Sequence, residues 1–264
     1  MVKLKDFFCK FYVAIIMLFL YAPIMVLIVS SFNSSKSRVL WGGFTLEWYQ
    51  QMLNSSIVIG ALRNTVVLAV GSAFFATIIG LLASIGIDAM RKKEFSIVMS
   101  ITNIPMLNAD IVTGIAMMLL IFRFMPLGFS SIMLAHITFN IPYVILNILP
   151  RFNQMDISTY EAARDLGAGP VTSFFKVVLP DIIPGIVAGF FMAMTMSMDD
   201  FVITYFTKGA GVNTLSTMIY GQIKKGIQPT MYALSTMIFA VTILLLITIN
   251  LITLPKKSGK NKPR

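Results

Sequence analysis

Six stretches of this chain run for about twenty residues or more with at most two charged side chains apiece. They fall at about residues 11–32, 64–87, 96–122, 128–149, 183–206 and 231–254. A helix of about 20 apolar residues covers the roughly 30 Å of a bilayer's hydrocarbon core. Inside lipid no water is at hand to satisfy backbone N–H and C=O groups, so a spanning segment must bond within itself as a helix or close into a barrel. Runs twice the length of a barrel strand leave the helix. The expected fold class is all-α, a polytopic membrane protein with six transmembrane helices. The 57% hydrophobic content, the 12% charged content and the mean hydropathy of +0.83 agree.

A net charge of +10 would suit a nucleic-acid partner, but the basic residues sit in short loops beside the apolar runs, so no nucleic acid is expected. Their distribution orients the chain instead. Fourteen of the 21 Lys and Arg residues lie in the N-terminus (Lys3, Lys5, Lys10), the 88–95 loop (Arg91, Lys92, Lys93), the 150–181 loop (Arg151, Arg164, Lys176) and the tail (Lys256, Lys257, Lys260, Lys262, Arg264). Lys36, Arg38, Arg63, Arg123, Lys208, Lys224 and Lys225 lie on the other side. The positive-inside rule puts both termini and the 150–181 loop in the cytoplasm, with the protein in the cell (inner or plasma) membrane. The expected organisation is a cytoplasmic N-terminus at 1–10, a six-helix domain over 11–255 and a basic tail at 256–264.

The first span is too long for a removable signal and lacks a small-x-small cleavage site, so it is read as an anchor kinked at Pro23. The second is rich in Gly, Ala and Ser, which lets helices approach closely in lipid. Asn103, Pro105, Asn108 and Asp110 interrupt the third, and a kink or break is expected at Pro105. The fourth is expected to kink near Pro142, Pro184 opens the fifth, and Pro255 ends the sixth. Between spans, 33–60 holds a short amphipathic helix around Phe44–Tyr49, and the glycines of 207–230 imply a loop with turns.

No Gly-x-x-x-x-Gly-Lys-Ser/Thr sequence is present, so the chain has no P-loop for ATP. There is no His/Cys cluster for a metal, and no serine sits in a nucleophile elbow. An enzyme is poorly supported. Cys9 is a lone cysteine at the membrane edge, and the 19 methionines read as core filler. The informative residues are acids inside spans: Asp110 in the third, and Asp199 and Asp200 in Ser197-Met198-Asp199-Asp200 of the fifth. A carboxylate at the bilayer centre costs about 2.5–3.5 kcal/mol on insertion scales, so it lines a cavity, meets a cation or caps a broken helix. On a continuous helix Asp199 and Asp200 point about 100° apart and cannot both face one point unless the helix unwinds. His136, Asn140, Tyr143 and Asn147 form one polar stripe, read as a helix–helix hydrogen-bond seam in preference to a pore lining. Trp48 and Tyr49 are interfacial aromatics, with substrate contact open for Trp48.

One amphipathic segment lies between the fourth and fifth spans. Ser158–Leu166 favours helix, Gly167 is a natural left-handed stop, and Pro170 can open a second short helix. Phe174, Val177 and Val178 give that helix an apolar stripe, while Ala162 and Ala163 leave a surface that a partner can approach closely. An interfacial hairpin lying on the membrane is the plainer reading. The spacing of Glu161, Ala162, Ala163, Gly167, Val177, Leu179 and Pro180, however, resembles the "EAA" loop of permease subunits in ATP-driven (ABC) importers. In that family the loop docks into a groove on a separate ATPase subunit.

The resemblance extends over roughly 30–255. Asn33-Ser34-Ser35, Phe44-Thr45-x-x-Trp48-Tyr49, Ala109-Asp110-Ile111-Val112, Ser197-Met198-Asp199-Asp200 and Pro229-x-x-x-Ala233-Leu234-Ser235-Thr236 resemble, in this order, the spermidine/putrescine importer permeases, and within them the second ("C") permease subunit. Gly169-Pro170, and Ser216 after Leu215, depart from the family pattern. The resemblance implies the type I ABC importer permease architecture. Its partners would be a homologous second permease, two ATPase subunits and an extracytoplasmic polyamine-binding protein. ATP and Mg would reside on the ATPase subunits and no cofactor in this chain. It also implies transport by alternating access, a substrate path past Asp110, Asp199, Asp200, Ser197 and Trp48, and ATPase docking through Glu161–Pro180. Two alternatives stand beside it. One is a permease for another small solute, such as an anion or iron, although bare intramembrane carboxylates oppose an anion. The other is an ion-coupled secondary transporter, which would share the broken helix and midplane carboxylate but need no docking loop.

Overall fold

The computed structural model describes residues 2–35, 40–225 and 228–253. In chain order the helices are α1 (Val2–Ser31), α2 (Glu47–Asn54), α3 (Ser56–Asp88), α4 (Lys92–Leu107), α5 (Asp110–Phe122), α6 (Phe129–Gln154), α7 (Ile157–Asp165), α8 (Pro170–Ser173), α9 (Leu179–Asp199), α10 (Val202–Thr207), α11 (Leu215–Lys225) and α12 (Pro229–Thr253). A π-helical turn, Phe174–Val178, joins α8 to α9. Among the described residues five helical segments are long and apolar enough to cross a membrane, or six when the bent α4–α5 pair counts as one span. The chain divides into two units, Met1–Gly60 with Ile219–Thr242, and Ala61–Met218 with Ile243–Arg264.

In the first unit the loop after α1 folds around one side chain. Buried Asn33 accepts hydrogen bonds at Oδ1 from the N–H groups of Ser35 (3.1 Å) and Gly42 (2.8 Å) and donates from Nδ2 to the Leu40 carbonyl. Its own carbonyl accepts from Trp48 Nε1 at 2.7 Å. Phe32 stacks on Phe44 with centroids 5.3 Å apart, and Ser31 Oγ meets the Tyr49 hydroxyl at 2.7 Å. The amphipathic helix expected around Phe44–Tyr49 is α2, which begins at Glu47 and buries Trp48 and Met52.

The second unit is built on α6 and α9, which pack along their length. Val144, Ile148 and Phe152 of α6 meet Ile182 and Ala193 of α9 and Ala73 and Ala76 of α3 in one core cluster. Small residues set the spacing. A Cβ on Gly185 would lie 2.9 Å from the Asn147 carbonyl oxygen, and one on Gly80 2.6 Å from Val144 Cγ1. Close backbone approach of this kind maximises van der Waals contact where lipid supplies no hydrophobic drive.

Three segments depart from the sequence reading. The third span breaks, with α4 and α5 bent by 103°, but at Asn108–Ala109 rather than at Pro105. The helix passes through Pro105 for two residues because the Asn108 N–H still reaches the Ile104 carbonyl; both Asn108 (ψ 154°) and Ala109 (ψ 131°) are then extended. The fifth span does not begin at 183 or continue to 206. α8 runs without interruption into α9, and α9 stops at Asp199. Pro180 explains the π turn before it. A proline has no N–H and its ring crowds the carbonyl four residues back, which the wider turn relieves; the Leu179 N–H bonds the Phe174 carbonyl five residues back. Finally, 207–230 is not all loop, since Leu215–Lys225 is helical, opened by Thr214 and Thr217 hydrogen-bonding one another.

Candidate functional site

Two breaks, before α5 and after α9, bring three acids to one cavity. Asp200 leaves the helix with φ −61° and ψ 124°, and α10 starts two residues on. Asp199 and Asp200 both line a cavity at this break, where the chain turns away after Asp200. Asp110 reaches that cavity from the other break, in the first turn of α5, where a helix N-terminus favours a negative charge. α5 and α10 pack together; a Cβ on Gly114 of α5 would lie 3.1 Å from Phe206 Cδ2. The cavity measures about 360 Å³, and Phe139, Tyr143, Met196, Phe201 and Val202 complete its wall.

The carboxylates differ in what they hold. Asp200 is mostly buried and caps α10. Its Oδ1 accepts from the Ile203 N–H at 3.2 Å; its Oδ2 accepts from the Thr204 N–H at 2.8 Å and the Thr204 hydroxyl at 3.0 Å. His136 Nε2 lies 3.4 Å from the same oxygen, and the Asp200 carbonyl accepts from the Ser216 hydroxyl at 2.8 Å. Asp110 and Asp199 are exposed, and among the described residues neither carboxylate has a hydrogen-bond or ion-pair partner. The site therefore offers two free anionic groups between aromatic rings, a setting for an ammonium group with methylenes attached.

Ser197 lies behind the cavity. Its hydroxyl is buried, 2.6 Å from His136 Nδ1 and 3.0 Å from Ser72 Oγ. Trp48 belongs to the first unit, is 5% exposed and lines another cavity, about 520 Å³, with Ser34, Glu47, Gln51, Gln228, Pro229 and Thr230. The polar stripe on α6 divides. His136 and Asn140 are buried in the seam, Tyr143 lines the cavity, and Asn147 Nδ2 bonds the Tyr143 carbonyl. Thr204 shares a helical stripe with Asp200 and Ser197 in the sequence, whereas Phe139 and Phe201 carry no signal there beyond proximity to His136 and Asp200. Among the described residues no three His, Cys, Asp or Glu side chains are placed to hold a metal.

The segment between α6 and α9 folds as two short helices. Asp156 caps α7, accepting from the Ser158 N–H at 3.0 Å and the Ser158 hydroxyl at 2.7 Å, and these bonds hold its carboxyl below the usual range. α7 ends in a Schellman motif: the Gly167 N–H bonds the Arg164 carbonyl, the Ala168 N–H bonds the Ala163 carbonyl, and Gly167 takes φ 84°. Pro170 opens α8. Glu161, Ala162 and Gly167 are exposed, as are the apolar side chains of Leu166 (89%), Val171 and Phe175, while Ala163 and Val177 are half-buried. Val178, Phe174 and Leu179 face inward to the α6–α9 core, and Pro180 is exposed.

A helical bundle with broken spans, a cavity at the breaks and an apolar exposed hairpin outside them defines a membrane permease. The chain belongs to the family of binding-protein-dependent transport system inner membrane components, whose profile matches residues 76–254. It is a multi-pass transport subunit, not an enzyme. It is 36% identical over 242 residues to the spermidine/putrescine transport system permease protein PotC of Escherichia coli (strain K12), covering 91% of this chain and 92% of that one. It is 35% identical over 229 residues to the putrescine transport system permease protein PotI of the same strain, covering 83% and 81%. Its fold is shared by a chain of a bacterial ABC transporter that imports the acidic polysaccharide alginate, with TM-score 0.72, 15% identity, and 94% and 95% of the two chains covered.

Proposed function

We propose that this chain is a permease subunit of an ATP-driven importer of polyamines, spermidine or putrescine. The observation that carries the reading is the pair of unpartnered carboxylates, Asp110 and Asp199, facing one aromatic-walled cavity at two breaks in the membrane helices. A polyamine is a flexible polycation. It needs anionic acceptors separated by surface that tolerates methylenes, and Phe139, Tyr143 and Phe201 supply that surface. The relatives named for spermidine and putrescine transport support the same substrate class.

In this reading the termini and the 150–181 hairpin are cytoplasmic. The exposed face of Glu161, Ala162, Gly167, Leu166 and Phe175 docks on one of two ATPase subunits that carry ATP and Mg. A second permease completes the path by alternating access, and an extracytoplasmic binding protein delivers the amine. Val177, Leu179 and Pro180 transmit the motion of the hairpin to α9, whose far end holds Asp199. Asp200 and Ser197 shape the path from behind, and Trp48 walls the outer cavity beside Glu47. A cation–π contact there would add about 0.5–2 kcal/mol.

The test is ATP-driven uptake of labelled putrescine and spermidine into vesicles holding the whole complex. Asp110→Asn and Asp199→Asn are each expected to slow uptake about tenfold, a barrier increase of roughly 1.4 kcal/mol, with assembly and basal ATPase activity unchanged. Asp6→Asn is the silent control. Uptake at the wild-type rate in both variants would remove the path from this cavity. Uptake that persists without ATP and collapses with the ion gradient would make the protein a secondary transporter.

A further inference from the structure

A chain of hydrogen bonds crosses the second unit behind the cavity, and His136 stands at its centre. Asn140 Nδ2 reaches Ser72 Oγ at 3.4 Å, Ser72 Oγ meets Ser197 Oγ at 3.0 Å, and Ser197 Oγ meets His136 Nδ1 at 2.6 Å. On the other side of the ring, Nε2 lies 2.9 Å from Thr204 Oγ1 and 3.4 Å from Asp200 Oδ2. These residues come from α3, α6, α9, α10 and the break between the last two. Ser72, His136, Asn140, Ser197 and Thr204 are all at most 3% exposed.

Donor counting ties the hydrogen on the ring to the cap of α10. A carboxylate only accepts, so a Thr204 hydroxyl that directs its hydrogen to Asp200 Oδ2 has only a lone pair to offer Nε2. In that arrangement it is Nε2 that carries a hydrogen, donated to Thr204 Oγ1, while Nδ1 accepts from the Ser197 hydroxyl. Were it bare, its lone pair would face Oδ2, and the Thr204 hydroxyl would have to leave the carboxylate to satisfy the ring.

We infer that His136 is the positioning residue that withholds one of three neighbouring carboxylates from the transported cation. The N–H groups of Ile203 and Thr204 and the Thr204 hydroxyl bind Asp200 to the cap of α10, and His136, donating from Nε2 to Thr204 Oγ1, holds that hydroxyl on Oδ2, which leaves Asp110 and Asp199 as the acceptors. This rests on the polyamine reading for its consequence. A conduit must release what it accepts, and three free carboxylates in one cavity of about 360 Å³ would retain a polycation that two can pass on. The arrangement also explains why adjacent aspartates can serve different ends at one break.

The test combines a spectrum with a rescue. The chain has one histidine. In the assembled complex labelled with ¹⁵N-histidine, the pair of ring resonances absent from a His136→Leu complex belongs to it, and these should report a hydrogen on Nε2. A bare Nε2 overturns the inference. In the uptake assay, His136→Leu removes the donor that holds the Thr204 hydroxyl on Asp200, leaves more of the carboxylate's charge to the cavity, and should lower the putrescine rate per assembled complex about tenfold. Adding Asp200→Asn, which keeps a capping oxygen but removes the charge, should restore most of that loss. A role in packing alone predicts no rescue, so a double variant no faster than His136→Leu also overturns the inference. If His136→Leu fails to assemble, the tautomer of the wild-type complex decides. A wild-type complex that imports neither amine defeats the polyamine reading instead, and the Nε2 hydrogen still judges the place of His136.

Discussion

Replacing Asp200 with Ala would leave the N–H groups of Ile203 and Thr204 without their side-chain acceptor. Loss of such a cap costs about 2 kcal/mol. The purified Asp200→Ala complex should therefore unfold several degrees below wild type in a thermal melt. Asp199→Ala, one residue away and exposed, should leave the melting temperature unchanged while slowing uptake. Equal melting temperatures for the two variants would remove the capping role. A second residue-scale prediction concerns Asp156. Its folded pKa lies below the unfolded value of about 3.9. The bond to Ser158 thus supports α7 at neutral pH, and that support is lost as pH falls through the lowered value. A spin label at position 166 should gain mobility only below about pH 4 in wild type. In Asp156→Asn that acid step should be absent.

At the scale of helices, the packing of α6 on α9 depends on what is missing from Gly185. An alanine Cβ there would press on the Asn147 carbonyl oxygen at 2.9 Å and on Ile148 Cα at 3.3 Å, both backbone atoms that cannot rotate away. Gly185→Ala should destabilise by about 1–3 kcal/mol, read as a lower melting temperature with assembly retained. Gly86, where an added Cβ meets nothing within 4 Å, is the control position for the same substitution. The hairpin carries the other element-scale prediction. Gly167→Leu forces a side chain onto a residue at φ 84°, and Ala162→Arg puts a long cation on an exposed small-residue face. Both should uncouple ATP hydrolysis from uptake while the protein still inserts, measured by co-purification of the ATPase beside amine uptake. Normal uptake in both would reduce the segment to a membrane-surface hairpin.

For the whole molecule, orientation is the quantity to measure. In a Cys9→Ser background, a cysteine at Ser35 should react with an impermeant maleimide added outside intact cells, and one at Ser258 should react only after permeabilisation. The reverse pattern would take the hairpin out of the cytoplasm. Much of the molecule was open to sequence reasoning because its causes are local. Long apolar runs must be helices in lipid, and glycine is the residue that takes φ 84° at the end of α7 without strain. The basic residues of the loops bear on orientation through their own positions, and the acids stand out because a charge in an apolar run is costly wherever the helix ends up. Tertiary structure alone decided the rest. Asn108–Ala109 unwinds instead of Pro105 because the helix can still close one more bond after the proline. Asp200 faces α10 because the chain turns after it and its carboxylate caps that helix, while Thr204 meets His136, 68 residues away in sequence. Such contacts depend on which helices lie side by side, and the periodicity of a single helix carries no record of its neighbours.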